Sequence, residues 1–260
     1  MSLTFGSLFA GIGGMDLGLE RSGMQCSWQV EIDPFARKVL AKHWPDVRRH
    51  DDVRTFPPKE GDWHVDLIAG GFPCQDISFA GKGAGLAGER SGLWYEFARV
   101  VRDLRPRYVL VENVAALLVR GLDAVLGTLA SLGYDAEWSC LPACAVGAPH
   151  ERDRVFLVAY PVEIAWRGCV FPDRLDGVPR NEEWSSTQGV RSGGGWKRWI
   201  GAASQAVDGP ISAGDFCGMD DGVSEELDRI GAVGNAVVPQ VAEWLGRRIL
   251  EHHRVRMEAS

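Results

Sequence analysis

The 260-residue chain has no pair of cysteines spaced Cys-x-x-Cys and no excess of basic charge. Nor does it contain an apolar run approaching the roughly 20 residues that a membrane helix needs. Its six cysteines, Cys26, Cys74, Cys140, Cys144, Cys169 and Cys217, are irregularly spaced. That argues against a zinc site and against a secreted disulfide framework. Cys140 and Cys144, with His150 nearby, come closest to a metal cluster, and they read as free thiols. The N-terminal stretch Met1 to Gly6 carries no basic segment and no cleavable apolar core, so a cytoplasmic protein without a membrane partner is expected. A net charge of −7 and a pI near 5.4 weigh against a non-specific nucleic-acid binder. They leave room for a local basic cleft on an acidic body. With 45% hydrophobic and 24% charged residues, the composition is that of an ordinary globular protein. The length suits one large α/β domain, or such a domain with a small insert.

The stretch Gly70-Gly71-Phe72-Pro73-Cys74-Gln75-Asp76-Ile77-Ser78 dominates what is present. It follows Val65 to Ala69, an apolar run that reads as a buried strand. Two glycines permit a sharp turn, and Pro73 stiffens the step into the cysteine. An α/β enzyme holds a nucleophile at such a strand end.

Upstream, a strand from Leu3 to Phe9 leads into Ala10-Gly11-Ile12-Gly13-Gly14. A helix follows over 15–20, then a second strand from Cys26 to Glu31. Strand, glycine turn, helix and a strand with an acidic tip make the plan of a nucleotide-binding βαβ unit. A carboxylate at that tip, Glu31, can accept from both hydroxyls of a ribose. The spacing departs from the strict dinucleotide fingerprint, which favours an adenosyl ligand over one bearing a pyrophosphate. Pro34 opens a helix that Trp44-Pro45 ends. Asp51-Asp52-Val53 falls at a strand end, where an aspartate either holds an adenine amino group or caps a solvated turn.

Beyond Cys74, four glycines between positions 81 and 88 suggest a lid. A helix from Ser91 to Arg102 precedes the strand Arg107 to Val111, which ends in Glu112-Asn113-Val114. Glu112 is thereby expected on the same sheet edge as Glu31 and Cys74, where it can protonate or donate to a substrate nitrogen. A helix over 124–132 and a strand over 135–141 follow. Arg152 and Arg154 share a face of the next extended segment, and two guanidinium forks there suit a base carbonyl, a phosphate or a carboxylate. From Tyr160 to about Asp228 the pattern dissolves into an irregular region holding Trp166, Trp184, Trp196 and Trp199. Order returns at Gly234-Asn235, followed by a helix from about Val241 to His253.

Taken in order, these motifs resemble the DNA cytosine-5 methyltransferases over the first 160 residues and the last 35 or so. Phe9 to Gly14 looks like that family's cofactor loop, with Phe9, Gly11, Gly13 and Gly14 at the ligand. Glu31 and Ile32 look like its ribose-side residues, and Asp52 and Val53 like its adenine contacts. Pro73-Cys74-Gln75 looks like the catalytic cysteine motif, and Leu93 like a cofactor-contacting leucine. Glu112-Asn113-Val114 resembles the motif that holds the target cytosine, Arg152-x-Arg154 the paired arginines, and Gly234-Asn235-Ala236-Val237 the closing motif that returns Asn235 and Ala236 to the cofactor.

The resemblance implies an α/β, Rossmann-like methyltransferase fold with a mostly parallel sheet. It implies S-adenosylmethionine as methyl donor and duplex DNA as partner, with a flipped cytosine attacked by Cys74 and with Glu112, Arg152 and Arg154 also catalytic. Residues 1–160 and 229–260 would form the catalytic and cofactor-binding domain, and 161–228 a short target-recognition region. A monomer that needs no cognate restriction endonuclease is expected. The sequence departs from the family pattern in carrying His150 where many members have glutamine and Asp51 where glycine is usual. Its variable region, at roughly 70 residues, is short for the family. An RNA cytosine-5 methyltransferase on the same core and an inactive DNA-binding relative are the rival readings.

Overall fold

A computed structural model describes residues 2–73, 92–143, 153–163, 170–171 and 236–258. Cys74, the glycine stretch 81–88, His150, Arg152, Asn235 and most of 161–228 lie outside the described residues, as do Cys144, Cys169 and Cys217.

Seven strands form one sheet: β1 (Thr4–Leu8), β2 (Gln25–Val30), β3 (Arg48–His50), β4 (Leu67–Gly70), β5 (Tyr108–Val114), β6 (Tyr134–Pro142) and β7 (Asp153–Pro161). Their order is β3-β2-β1-β4-β5-β7-β6. The first five pair in parallel, and β7 runs antiparallel to both β5 and β6. The sheet is therefore mixed and mostly parallel, as expected. Burial explains the strand compositions. Every residue of Leu67-Ile68-Ala69-Gly70 in β4 is buried, because helices cover both faces of a parallel sheet. At the margin, β6 buries only Tyr134 and Leu141 and leaves Trp138 exposed.

Among the described residues the helices are α1 (Gly14–Arg21), α2 (Pro34–His43), α3 (Gly92–Leu104), α4 (Leu117–Arg120), α5 (Leu122–Ser131) and α6 (Pro239–Glu258). A 3₁₀ turn spans Val53–Thr55. Both α2 and the 3₁₀ turn start on aspartates: Asp33 accepts from the Ala36 amide at 2.8 Å and Asp52 from the Arg54 amide at 3.0 Å. On one face of the sheet, α3 buries Trp94, Phe97, Val100, Val101 and Leu104. Burying each such side chain is worth about 1.5–3 kcal/mol. On the other face, α1 packs against α6 with very little between them. A Cβ at Gly18 would lie 2.3 Å from the Pro239 carbonyl oxygen, and one at Gly14 would lie 2.3 Å from that of Val237. The C-terminal segment thus docks directly on the first helix. At the far end of α6, the Tyr108 hydroxyl meets His252 Nδ1 at 2.7 Å. Burial pushes that imidazole's pKa down to about 4.

The sequence pattern did not anticipate the 3₁₀ turn or α4, each only one turn long. The last helix starts two residues earlier and ends five later than the periodicity indicates. Among the described residues, no helix is long and apolar enough to cross a membrane.

Candidate active site

The strand order reverses between β1 and β4. From there the chain winds outward to β2 and β3 on one side and to β5 on the other. The loops at the carboxyl ends of the strands part at such a point and leave a crevice. A cavity of about 530 Å³ opens there, within the size range of small-molecule sites. Phe9, Gly11 and Gly14 reach it from the turn after β1, and Glu31 and Ile32 from the end of β2. Asp52 and Val53 come from the turn after β3, Pro73 from beyond β4, and Leu93 from the start of α3. Glu112 of β5, Arg154 of β7 and Ala236, just before α6, complete the expected set present there.

Gly13 stands apart from these. It faces Trp44, whose ring would lie 2.5 Å from an added Cβ, and its φ of 85° turns the chain into α1. The other glycines of the loop also divide their work. Gly14 admits the Val237 carbonyl, while at Gly11, with φ 55°, an added Cβ would meet nothing within 4 Å. Of the three, Gly11 alone leaves open space where a side chain would stand, among the described residues. Phe9 shares the left-handed conformation, with φ 54°. Such a residue costs on the order of 1 kcal/mol and tends to persist at ligand clamps.

Glu31 is held from two sides. Its Oε2 accepts from the Gly11 amide at 2.7 Å and its Oε1 from the Asp33 amide at 2.8 Å. The carboxylate thereby locks the glycine turn to the start of α2, and each oxygen retains a lone pair for a hydroxyl donor. If Glu31 is the ribose-side residue that the resemblance implies, removing it should weaken binding of the adenosyl cofactor about 100-fold, since two charge-assisted bonds and the ligand contact are lost together. Titration calorimetry of Glu31→Ala with S-adenosylhomocysteine checks this, alongside DNA affinity measured without cofactor, which should not move. Unchanged cofactor affinity would refute the assignment.

The opposite end of the cavity is built around Glu112. Arg154 Nε lies 3.0 Å from Glu112 Oε1, and both side chains are largely shielded. Glu112 Oε2 sits over Gly71, 2.5 Å from where a Cβ would project. Asn113, fully enclosed, donates from Nδ2 to the Phe72 carbonyl at 3.2 Å. It so fixes the backbone at Phe72, next to Pro73. Gly71 and Asn113, a turn glycine and a motif neighbour in the sequence, thus pack and brace this end of the cavity.

Beneath the glycine turn lies a buried polar group with no counterpart in the expected site. Asp16 is fully enclosed, and neither carboxylate oxygen makes a hydrogen bond of ordinary geometry. Burial pushes its pKa up to about 7. The facing Ser7 hydroxyl opposes that rise, while Glu20 and Glu31 reinforce it. A folded-state value above the ordinary 3.8 means that the folded form holds a proton the unfolded chain has released. Stability should therefore fall as pH rises from about 4 to about 7 and then level off. The ceiling on that loss is about 4 kcal/mol. Urea unfolding at pH 5 and pH 8 tests it: Asp16→Asn should be the more stable chain at pH 8, with the difference shrinking at pH 5. A constant difference would contradict it.

Residues 3–189 match the family model for C-5 cytosine-specific DNA methylase. The chain belongs to this family. It is 34% identical over 231 residues to the Type II methyltransferase M2.BsuMI of Bacillus subtilis, covering 82% of this chain and 57% of that protein. To M.Eco47II of Escherichia coli it is 39% identical over 166 residues, covering 61% and 39%. To M.HhaI of Haemophilus parahaemolyticus it is 31% identical over 174 residues, covering 65% and 53%. The chain thus spans 39–57% of the length of these three relatives. Among solved structures, a prophage-encoded E. coli protein superposes with a TM-score of 0.64 at 19% identity, covering 97% of this chain and all of that one. The Dnmt2 of Spodoptera frugiperda gives 0.52 at 22%, covering 66% and 54%. These two likenesses are of fold. In this C-5 methylase chain the sheet edge carries one continuous cavity, with Glu31 at one end and the Glu112–Arg154 pair at the other.

Proposed function

We propose that the protein transfers a methyl group from S-adenosylmethionine to C5 of cytosine in duplex DNA, through a covalent bond between Cys74 and C6 of a base turned out of the helix. The observation that carries this reading is the single cavity that joins the Glu31 end to the Glu112–Arg154 end, with Pro73 in its wall immediately before Cys74. The residues present fit the cofactor. Glu31 offers anchored acceptors for ribose hydroxyls, Asp52, bonded to Arg54 through Oδ1, has a second carboxylate oxygen without a partner among the described residues, and Ile32 and Leu93 supply apolar surface for a flat ring. Ala236, in the cavity wall, and Asn235, which precedes it in the sequence, would close the methionine side.

When bound, S-adenosylmethionine supplies an electrophilic methyl group. The chain's own residues do the rest. C5 of cytosine is a poor nucleophile. A Cys74 thiolate adding at C6 pushes the C5=C6 electron pair toward C5 and makes it reactive. Glu112 holds N3 and stabilises the charge that develops there. Arg154, bonded to Glu112, keeps that carboxyl aimed, and Arg152 joins it at the O2 edge. After methylation, loss of the C5 proton restores the double bond and expels Cys74. Since stacking covers C6 in a duplex, the base must leave the helix. The glycine stretch 81–88 is the natural segment to close behind it, and 161–228 the region that reads the flanking sequence. The protein acts as a monomer in the cytoplasm and needs no paired endonuclease.

Bisulfite sequencing of plasmid from an expressing host tests the reading. Protected cytosines in a fixed sequence context are expected. Complete conversion, together with transfer of labelled methyl groups to tRNA rather than duplex DNA, would replace it with the RNA reading.

A further inference from the structure

Arg99, on α3, lies outside every motif the sequence reading singled out. Its guanidinium nevertheless makes four bonds. Nη2 donates to the carbonyls of Val53 and Phe56, each at 2.7 Å. Nε donates to Glu96 at 2.8 Å and Nη1 to Asp103 at 3.4 Å, both on its own helix. The two carboxylates aim the fork, and the fork grips the two ends of the 3₁₀ turn that carries Val53 and starts on Asp52. The first turn of the same helix presents Leu93 to the cavity, and Val53 faces it from the turn. One rigid helix thus supplies a wall of the cleft and the strut that sets the opposing wall.

We propose that Arg99 is a positioning residue for the adenosyl end of the cofactor, fixing the spacing between Asp52–Val53 and Leu93. This rests on the cofactor reading given above. Other contacts keep the turn folded without Arg99: Val53 and Phe56 are buried, and His50 Nε2 meets Thr55 Oγ1 at 2.8 Å. Loss of the guanidinium therefore loosens the spacing rather than melting the region. A lysine cannot substitute, because one ammonium lacks the planar fork that spans two carbonyls and two carboxylates.

Calorimetry on the full chain with two probes, S-adenosylhomocysteine and 5′-methylthioadenosine, tests the proposal together with steady-state kinetics. Arg99→Ala should weaken both probes by the same factor, about tenfold. It should raise KM for S-adenosylmethionine alike, and leave kcat at saturating cofactor and KM for DNA within twofold. Arg99→Lys should recover less than half of the loss, and it carries the same split between KM and kcat should the alanine variant fail to fold. Unchanged affinities, a fall in kcat with KM for cofactor unmoved, or weakening of S-adenosylhomocysteine alone would overturn it. If the wild-type chain binds neither probe, the cofactor reading falls and this proposal falls with it. Normal wild-type binding with unaffected variants refutes the role of Arg99 alone.

Discussion

Cys74→Ser should abolish measurable methyl transfer, a loss of about 10³-fold or more, while cofactor affinity stays at its wild-type value. The oxygen nucleophile is the weaker by chemistry alone. A thiol of ordinary pKa is partly thiolate at neutral pH, and a serine hydroxyl is not ionised there. The substitution is nearly isosteric, so the chain's path through Gly71, Phe72 and Pro73 should persist. That path is fixed independently, by the Asn113 amide on the Phe72 carbonyl. The cofactor end of the cavity draws its polar anchors from Glu31, Gly11 and Asp33, none of which depends on the thiol. Turnover of the serine variant at even a tenth of the wild-type rate would contradict a nucleophilic role.

Gly71→Ala should lower kcat about 100-fold without destabilising the fold. An added methyl group would sit 2.5 Å from Glu112 Oε2, where ordinary contact begins near 3.4 Å. The carboxylate must therefore give way by roughly 1 Å, a misplacement that costs about 10²-fold in a positioned active site. Withdrawal in the other direction is resisted by Arg154 at 3.0 Å. The Gly71 backbone does not adopt the left-handed region, so alanine brings no conformational strain of its own. Thermal unfolding should be unchanged, and Gly71→Ala with Glu112→Asp should regain part of the lost rate by shortening the acid. Wild-type kcat in Gly71→Ala would show that the position of Glu112 is not critical.

Most of the architecture can be read from the sequence because the parallel strands are buried on both faces and so appear as unbroken apolar runs. Leu67 to Ala69 and Tyr108 to Val111 are examples. Glu112 stands out because it closes the second run, Glu31 stands at the tip of β2, and both reach the cavity. Roles that depend on contacts distant in sequence leave no such trace. Arg99 looks like any charged residue on the outer face of an amphipathic helix until the carbonyls of Val53 and Phe56, more than 40 positions earlier, are brought to it. Gly14 reads as a ligand-facing glycine, yet its bare backbone receives Val237 from the far end of the chain. Asp16 has the look of a first-turn helix acid, and only packing reveals that it is sealed from solvent.

The covalent step admits the most direct test. Duplex DNA carrying 5-fluorocytosine at the methylated position cannot lose the C5 substituent that turnover requires, so the enzyme should remain attached. Incubation with S-adenosylmethionine should give a denaturation-resistant protein–DNA adduct, and peptide mapping should place it on Cys74. No adduct with DNA that the protein otherwise methylates, or an adduct on a different cysteine, would contradict the mechanism.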